Sequence, residues 1–249
     1  MRVVVITLGV LAFVAVLVAG AAVVVGIGGR DWAPPSRGDG LVPARVARGT
    51  PATQDVPLPV ALDLPQWAAT TATSTGVPAR ALQAYAAAEI AQREFTPGCG
   101  LSWTTLAAIG RVESDHGRFG AADLDADGVA RPPIVGLPLD GSEGVLEIRD
   151  TDAGRLDGDT EFDRAVGPMQ FIPGTWERFG TDGNGDGVAD PQQIDDAARA
   201  AAAYLCSEGR DVATGDGWWD GVLAYNRSVE YARLVWAASD RYAGAVPAP

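Results

Sequence analysis

The sequence predicts a mainly α domain with long irregular acidic loops, preceded by an N-terminal transmembrane helix. Three observations carry this. Beyond residue 77 apolar residues recur at helical spacing, with little of the alternation that marks strands. Between residues 120 and 163 lies a segment with Pro132-Pro133, several glycines and twelve acidic residues against three arginines, too polar and interrupted for a core helix. Residues 3–28 contain no charged side chain, and about 20 apolar residues suffice to cross a bilayer.

The elements follow in order. Residues 1–29 read as a membrane anchor. Arg2 before the apolar run favours a cytoplasmic N-terminus and an extracytoplasmic remainder, so the expected location is the cell membrane with a single pass. A cleaved secretory signal is the alternative, with Ala19-Gly20-Ala21 as a small-residue cleavage site and a secreted product. Residues 30–76 are rich in Pro, Ala, Thr and Gly without sustained periodicity, and read as an extended linker. A folded domain is expected over residues 77–243, with a short tail at 244–249. Pro78 suits a first helical turn, and Leu82, Tyr85, Ala86 and Ile90 form one stripe. Ser102 is a candidate N-cap for the next helix, which ends near Gly117. Pro173 opens a helix with Trp176 and Phe179 on one face and Gly180 as its stop. Asp195 and Asp196 open an alanine-rich helix through Leu205, where negative charge complements the helix dipole. Two more helices are expected near residues 218–225 and 228–238.

Bulk composition excludes several functions. The net charge is −13 and every basic residue is arginine, so the basic footprint needed for nucleic acid is missing. One histidine and two distant cysteines, Cys99 and Cys206, make a zinc site implausible. In an oxidising compartment those cysteines can form a disulfide. Composition says nothing of oligomeric state.

The run Ile109-Gly110-Arg111-Val112-Glu113-Ser114 is the most informative motif. Leu106, Ile109, Gly110 and Glu113 follow i, i+3, i+4, i+7 spacing, which sets Glu113 on the inward face of a helix just before a turn. Desolvation there raises a carboxyl pKa, and a Glu still protonated near neutral pH can serve as a general acid. Ser114, Asp115 and His116 carry the letters of a hydrolase triad, but neighbours on one turn cannot form the relay, and no Gly-x-Ser-x-Gly elbow is present.

Two further motifs follow: Gly167-Pro168-Met169-Gln170-Phe171-Ile172-Pro173 and Ala224-Tyr225-Asn226. With Glu113-Ser114, in this order, they make the segment resemble the lytic transglycosylases, lysozyme-like enzymes that cut peptidoglycan glycan strands. Within that group it most resembles the membrane-bound lytic transglycosylase B-like family and its actinobacterial relatives. The resemblance implies that Glu113 is a single catalytic acid/base. It implies that Ser114, Gln170, Tyr225 and Asn226 line the sugar groove and that Met169 and Phe171 shape its wall or pack beneath it, with Pro168 standing where many members have Leu. It implies a lysozyme-like helical domain that cleaves the bond between N-acetylmuramic acid and N-acetylglucosamine. The C6 hydroxyl then closes on C1 as a 1,6-anhydro end. A muramidase using water, or a silent glycan-binding protein, are the alternatives. Partners are then glycan strands and the membrane.

No cofactor is needed for that chemistry, but a structural calcium ion is a candidate. Asp182, Asn184, Asp186, Val188 and Asp190 occupy positions 1, 3, 5, 7 and 9 of an EF-hand-like loop with Gly187 at position 6. Position 12 is Gln193 in place of the bidentate Glu, and Asp195 or Asp196 could complete the shell. A second partial match, Asp123 to Gly128, runs into Pro132-Pro133 and reads as a solvated acidic loop. The run from Asp150 to Asp159 is open to either reading.

Overall fold

The computed structural model describes residues 41–246 apart from 54–55, 57, 59–61 and 143–144. The chain builds seven α-helices among these residues: α1 (Leu64–Thr75), α2 (Ala79–Phe95), α3 (Trp103–Ser114), α4 (Pro173–Phe179), α5 (Ile194–Leu205), α6 (Gly215–Tyr225) and α7 (Val229–Ala245). The acidic segment between α3 and α4 folds into two small antiparallel pairs. One joins β1 (Asp123–Leu124) to β2 (Ala130–Arg131), and the other joins β3 (Val135–Pro138) to β4 (Arg164–Val166).

Local chemistry sets the helix ends. The Ser102 hydroxyl accepts from the Thr104 N–H and starts α3, Thr214 caps α6 through the Gly217 N–H, and Ser228 caps α7 through the Tyr231 N–H. Gln193 caps α5 by accepting from the Asp195 N–H. Helix α3 stops because Asp115 and His116 take positive φ, which lets the His116 N–H reach back to the Gly110 carbonyl at 2.8 Å.

Helix α3 is the centre of the core: every side chain from Trp103 to Gly110 is buried. It packs along α7 and against α2, and α2 in turn packs on α5. Ala197, Ala198, Ala200, Ala201 and Ala202 of α5 are fully buried, so small side chains let these two helices approach closely. Gly110 serves the same end within α3. A Cβ added there would lie 2.0 Å from the Tyr85 hydroxyl and 3.3 Å from the Met169 sulfur. Gly110→Ala is therefore expected to cost about 1–3 kcal/mol by overpacking, read as a lower urea midpoint.

Three sequence expectations are corrected. No helix among the described residues is long and apolar enough to cross a membrane. The longest described helices have 17 residues and are broken by polar and charged side chains. The anchor placed at residues 1–29 lies outside the described residues, and the membrane helix, membrane partner and single-pass location drop out of the reading. Second, the stretch assigned to the linker contains α1, capped by Asp63 through the Gln66 N–H and closed by Gly76 at φ 75°. Trp67 of α1 meets Trp103 edge-on at 5.3 Å, and Ala68 is fully buried. Helix α1 shows no apolar stripe in the sequence because its buried positions are Ala and Thr, which carry little hydropathy contrast. Third, the irregular segment carries the four short strands. Its carboxylates fold it: Asp125 accepts from the Val129 N–H and pairs with Arg131, and Asp159 accepts from the Glu161 and Phe162 N–H groups.

Candidate active site

Glu113 sits where α3 leaves the core, one turn beyond the fully buried Ile109, and is half-buried. The Tyr231 hydroxyl, from the first turn of α7, donates to its Oε1 at 2.6 Å. Among the described residues its Oε2 has no hydrogen-bond partner. Burial pushes the Glu113 carboxyl up to about 7, and the Tyr231 bond opposes part of that rise. Because Oε1 is the accepting oxygen, the proton of the neutral acid resides on Oε2. Burial, and then the nearby Glu113 charge, hold the Tyr225 and Tyr231 phenols well above their ordinary range, so both stay neutral donors.

The second motif forms a tight turn after β4. Val166 and Phe171 exchange backbone hydrogen bonds at 2.9 Å, and the Gln170 N–H reaches the Gly167 carbonyl at 3.0 Å. Gly167 takes φ 77° and its missing Cβ would lie 1.8 Å from the Pro191 carbonyl, so only glycine fits. Two side chains tie this turn to the helices. The Ser114 hydroxyl donates to the Pro168 carbonyl at 2.6 Å and accepts from the Gly117 N–H at 2.7 Å. The Tyr225 hydroxyl, at the end of α6, donates to the Met169 carbonyl at 2.7 Å.

The sequence-assigned groove residues thus divide. Ser114 is buried with both bonding directions used inside the protein, Met169 is fully buried, and Phe171 packs between Trp176 at 5.4 Å and Tyr225 at 5.8 Å. These three support the turn from beneath. Gln170 is half-buried at φ 50°, its amide donating to the Gly167 carbonyl at 2.9 Å. Asn226 is exposed and accepts from the Ser228 N–H at 3.0 Å, closing the connection from α6 to α7. The large aromatics Trp103, Trp218 and Trp219 are buried in the core.

Tyr231 escaped the sequence reading. Its one available signal is the stripe Tyr231, Ala232, Val235, Ala238 and Tyr242, all buried, which marks a core face and gives no hint that the first phenol meets Glu113. Replacing Tyr231 by Phe removes the donor that favours ionised Glu113. A hydrogen bond to a charged group is worth about 1.5–3 kcal/mol, and each 1.4 kcal/mol is about tenfold in rate. Turnover is expected to fall roughly 10- to 100-fold, with the alkaline limb of the pH–rate profile moved to higher pH.

The triad letters are separated in space by their partners. Asp115 pairs with Arg111 and Arg118. The buried His116 ring lies between the hydroxyls of Tyr85, 3.2 Å from Nδ1, and Tyr242, 3.1 Å from Nε2. Burial holds its pKa well below the usual value, with Arg118 and Arg111 adding to the depression.

In the candidate metal loop, Asp182 accepts from the Gly185, Asp186 and Gly187 N–H groups, Asn184 from Asp186, and Asp186 from Val188. Gln193, at position 12, is turned away, donating to the Asp127 carbonyl and Asp195. Asp196 faces the loop and accepts from the Gly183, Asn184 and Asp190 N–H groups, whereas Asp195 pairs with Arg80. The oxygen-only donor set of Asp182, Asn184, Asp186, Val188 and Asp190 fits a hard cation such as calcium in a structural role, joining α4 to α5. At about 100 times its dissociation constant, calcium should add about 2.7 kcal/mol of stability, and Asp186→Ala should abolish that gain in a calorimeter. Separately, oxygens of Asp150, Asp152 and Asp163 converge within 4.8 Å. They cap their own loop, with Asp163 accepting from the Thr151 N–H and hydroxyl, each at 2.8 Å.

The chain is similar to two Escherichia coli structures of the lytic transglycosylase SLT35. The complex with bulgecin A is 14% identical, with a TM-score of 0.42 over 75% of this chain and 81% of that one. The complex with calcium is 14% identical, with a TM-score of 0.44 over 75% and 76%. SltB3 from Pseudomonas aeruginosa in complex with NAG-anhNAM-pentapeptide is 16% identical, with a TM-score of 0.39 over 77% and 69%. No curated protein matches the sequence. Residues 150–218, which hold the Gly167 to Gln170 turn together with α4 and α5, match the family model described as Transglycosylase SLT domain.

Proposed function

We propose that this protein is a lytic transglycosylase. In this reading it cleaves the β-1,4 bond from N-acetylmuramic acid to N-acetylglucosamine in peptidoglycan and leaves 1,6-anhydro ends. The observation that carries the proposal is Glu113: a half-buried carboxyl raised to about 7, anchored through Oε1 by Tyr231 and free at Oε2 among the described residues. The match of residues 150–218 to a transglycosylase domain model supports it.

One carboxyl must then perform both proton steps. Ordinary glycosidases divide them between two carboxylates. Here no carboxylate neighbour contributes to the pKa of Glu113. Neutral Glu113 gives the Oε2 proton to the glycosidic oxygen as the C1–O bond breaks. The carboxylate that remains takes the proton of the muramic C6 hydroxyl while O6 bonds to C1, which restores the acid and needs no water. Tyr231 stabilises the ionised stage between the two transfers, since its hydrogen bond strengthens when the acceptor becomes anionic. Beside Glu113, the half-buried Gln170 and Tyr225 and the exposed Asn226 are the polar side chains of the three motifs available for sugar contacts. The catalytic residues are assigned to the segment 77–243, on a core that also takes in α1. A calcium ion in the 182–190 loop would stiffen the frame and supply no acid.

The test is digestion of purified peptidoglycan with mass analysis of the products. Anhydro-muramic ends that vanish with Glu113→Gln support the reading. Reducing ends would identify a hydrolase, and no cleavage by the parent protein would identify a binder.

A further inference from the structure

The segment from residue 41 to residue 53 runs back across α6 and α7, and its contacts are specific. The Ala44 N–H donates to the Arg233 carbonyl at 3.2 Å, and Arg233 Nε returns a bond to the Val46 carbonyl at 3.2 Å. Arg48 pairs with Asp220 at 2.9 Å, the buried Trp219 indole donates to the Thr50 carbonyl at 2.8 Å, and the Thr53 hydroxyl donates to Asp240 at 3.2 Å. Ala52 is buried in the main core, with Leu41 and Val46 packed against it. The fit at the start of α6 is close: a Cβ on Gly215 would lie 1.9 Å from the Gly49 carbonyl.

The gripped helices carry the Tyr231 phenol that bonds Glu113 and the Tyr225 phenol that bonds the Met169 carbonyl of the adjoining turn. Helix α6 ends in Tyr225, and α7 carries Tyr231 in its first turn, two residues before Arg233. From α7 the Tyr231 phenol bonds Glu113, and from α6 the Tyr225 phenol is raised by burial and then by the Glu113 charge. A segment with one polar backbone contact to each helix would be mere packing. This one bonds α7 at both ends of a single residue, Arg233, and enters α6 through the indole of a core tryptophan.

We infer that residues 41–53 are a brace that positions Glu113 by pinning α6 and α7 against α3. This deepens the functional reading above and rests on Glu113 being the acid of that site. When the brace lifts, the first turn of α7 is freed and water reaches the carboxyl, and this rehydration outweighs the loosened Tyr231 contact because burial is the larger of the two causes acting on Glu113.

The experiment uses the full chain and two kinds of variant. Gly215→Val drives a side chain into the Gly49 carbonyl. Ala44→Pro with Arg48→Ala removes one donor and one ion pair from the brace itself and leaves α6 and α7 unaltered, so it stays informative if Gly215→Val fails to fold. Trypsin cleavage after Arg45, a site kept in both variants, reports release. The Glu113 carboxyl is followed by carbon NMR against pH, its resonance assigned by its loss in Glu113→Gln. The expected result is at least tenfold faster cleavage, together with a Glu113 midpoint moved down from about 7 toward the ordinary carboxylate range. Faster cleavage with an unmoved midpoint would overturn the inference, as would cleavage no faster than in the parent. The titration is read without substrate, so its failure is distinct from failure of the proposed reaction, which the product analysis reports.

Discussion

Glu113→Gln is expected to lower peptidoglycan cleavage by at least about 10²–10⁴-fold while making the protein more stable at alkaline pH. The amide matches the carboxyl in shape and still accepts from Tyr231, but it has no proton to give. The stability effect follows from linkage. The folded carboxyl titrates near 7 against an ordinary 4.5, so the unfolded chain ionises first as pH rises. Below the ordinary value both states are protonated and Glu113 costs nothing. Between the two values the cost grows, and above pH 7 it is complete, at about 3 kcal/mol given 1.36 kcal/mol per pKa unit. Thermal melts of parent and Glu113→Gln should therefore coincide near pH 4 and separate by several degrees at pH 8. Equal melts across that range would show that the carboxyl is not desolvated, and the assignment of the acid would fail with it. The same ionisation predicts that cleavage by the parent declines above about pH 7, because the protonated form is the one that starts the reaction.

Loss of the Cys99–Cys206 bridge should have the largest effect on the fold. The two residues are 107 apart in sequence, both are buried, and they join the loop before α3 to the end of α5. The Val212 N–H bonds the Cys99 carbonyl at 2.7 Å, which adds the start of the α6 region to the same junction. Closing a loop of this length removes chain entropy worth about 4–5 kcal/mol from the unfolded state. Domains have only about 5–15 kcal/mol in total. Each kcal/mol moves the melting point of a domain this size by roughly 2–4 °C. Cys99→Ala with Cys206→Ala should therefore melt about 10–15 °C lower, measured by calorimetry. A fall under about 1 kcal/mol would mean that the unfolded chain is already compact near the bridge.

The helical frame was largely legible in the sequence because its signals are local. Ser102, Pro173 and Gly180 mark the ends of α3 and α4, and Asp195 and Asp196 mark the first turn of α5. The inward placement of Glu113 was legible too, since it needs only the 3.6-residue period of one helix. Helix α1 was not, because alanine and threonine at its buried positions give almost no contrast. The brace was hidden for a related reason: backbone carbonyls at Val46 and Thr50 do the bonding, and a carbonyl leaves no mark on residue choice.

Within the site, motif spacing distinguished the residues that gather there but not their duties. Ser114, Met169 and Phe171 lie at the centre and face inward, while Tyr231 holds the acid from 118 positions away. Local order, the helix ends and the exposed or buried sense of a stripe follow from neighbours in the chain, so residue types alone determined them. Which phenol meets Glu113, which hydroxyls are spent on the turn, and how far the carboxyl is dried depend on contacts between α3, α6 and α7. Desolvation and hydrogen bonding act through space, and only the packed tertiary structure decided them.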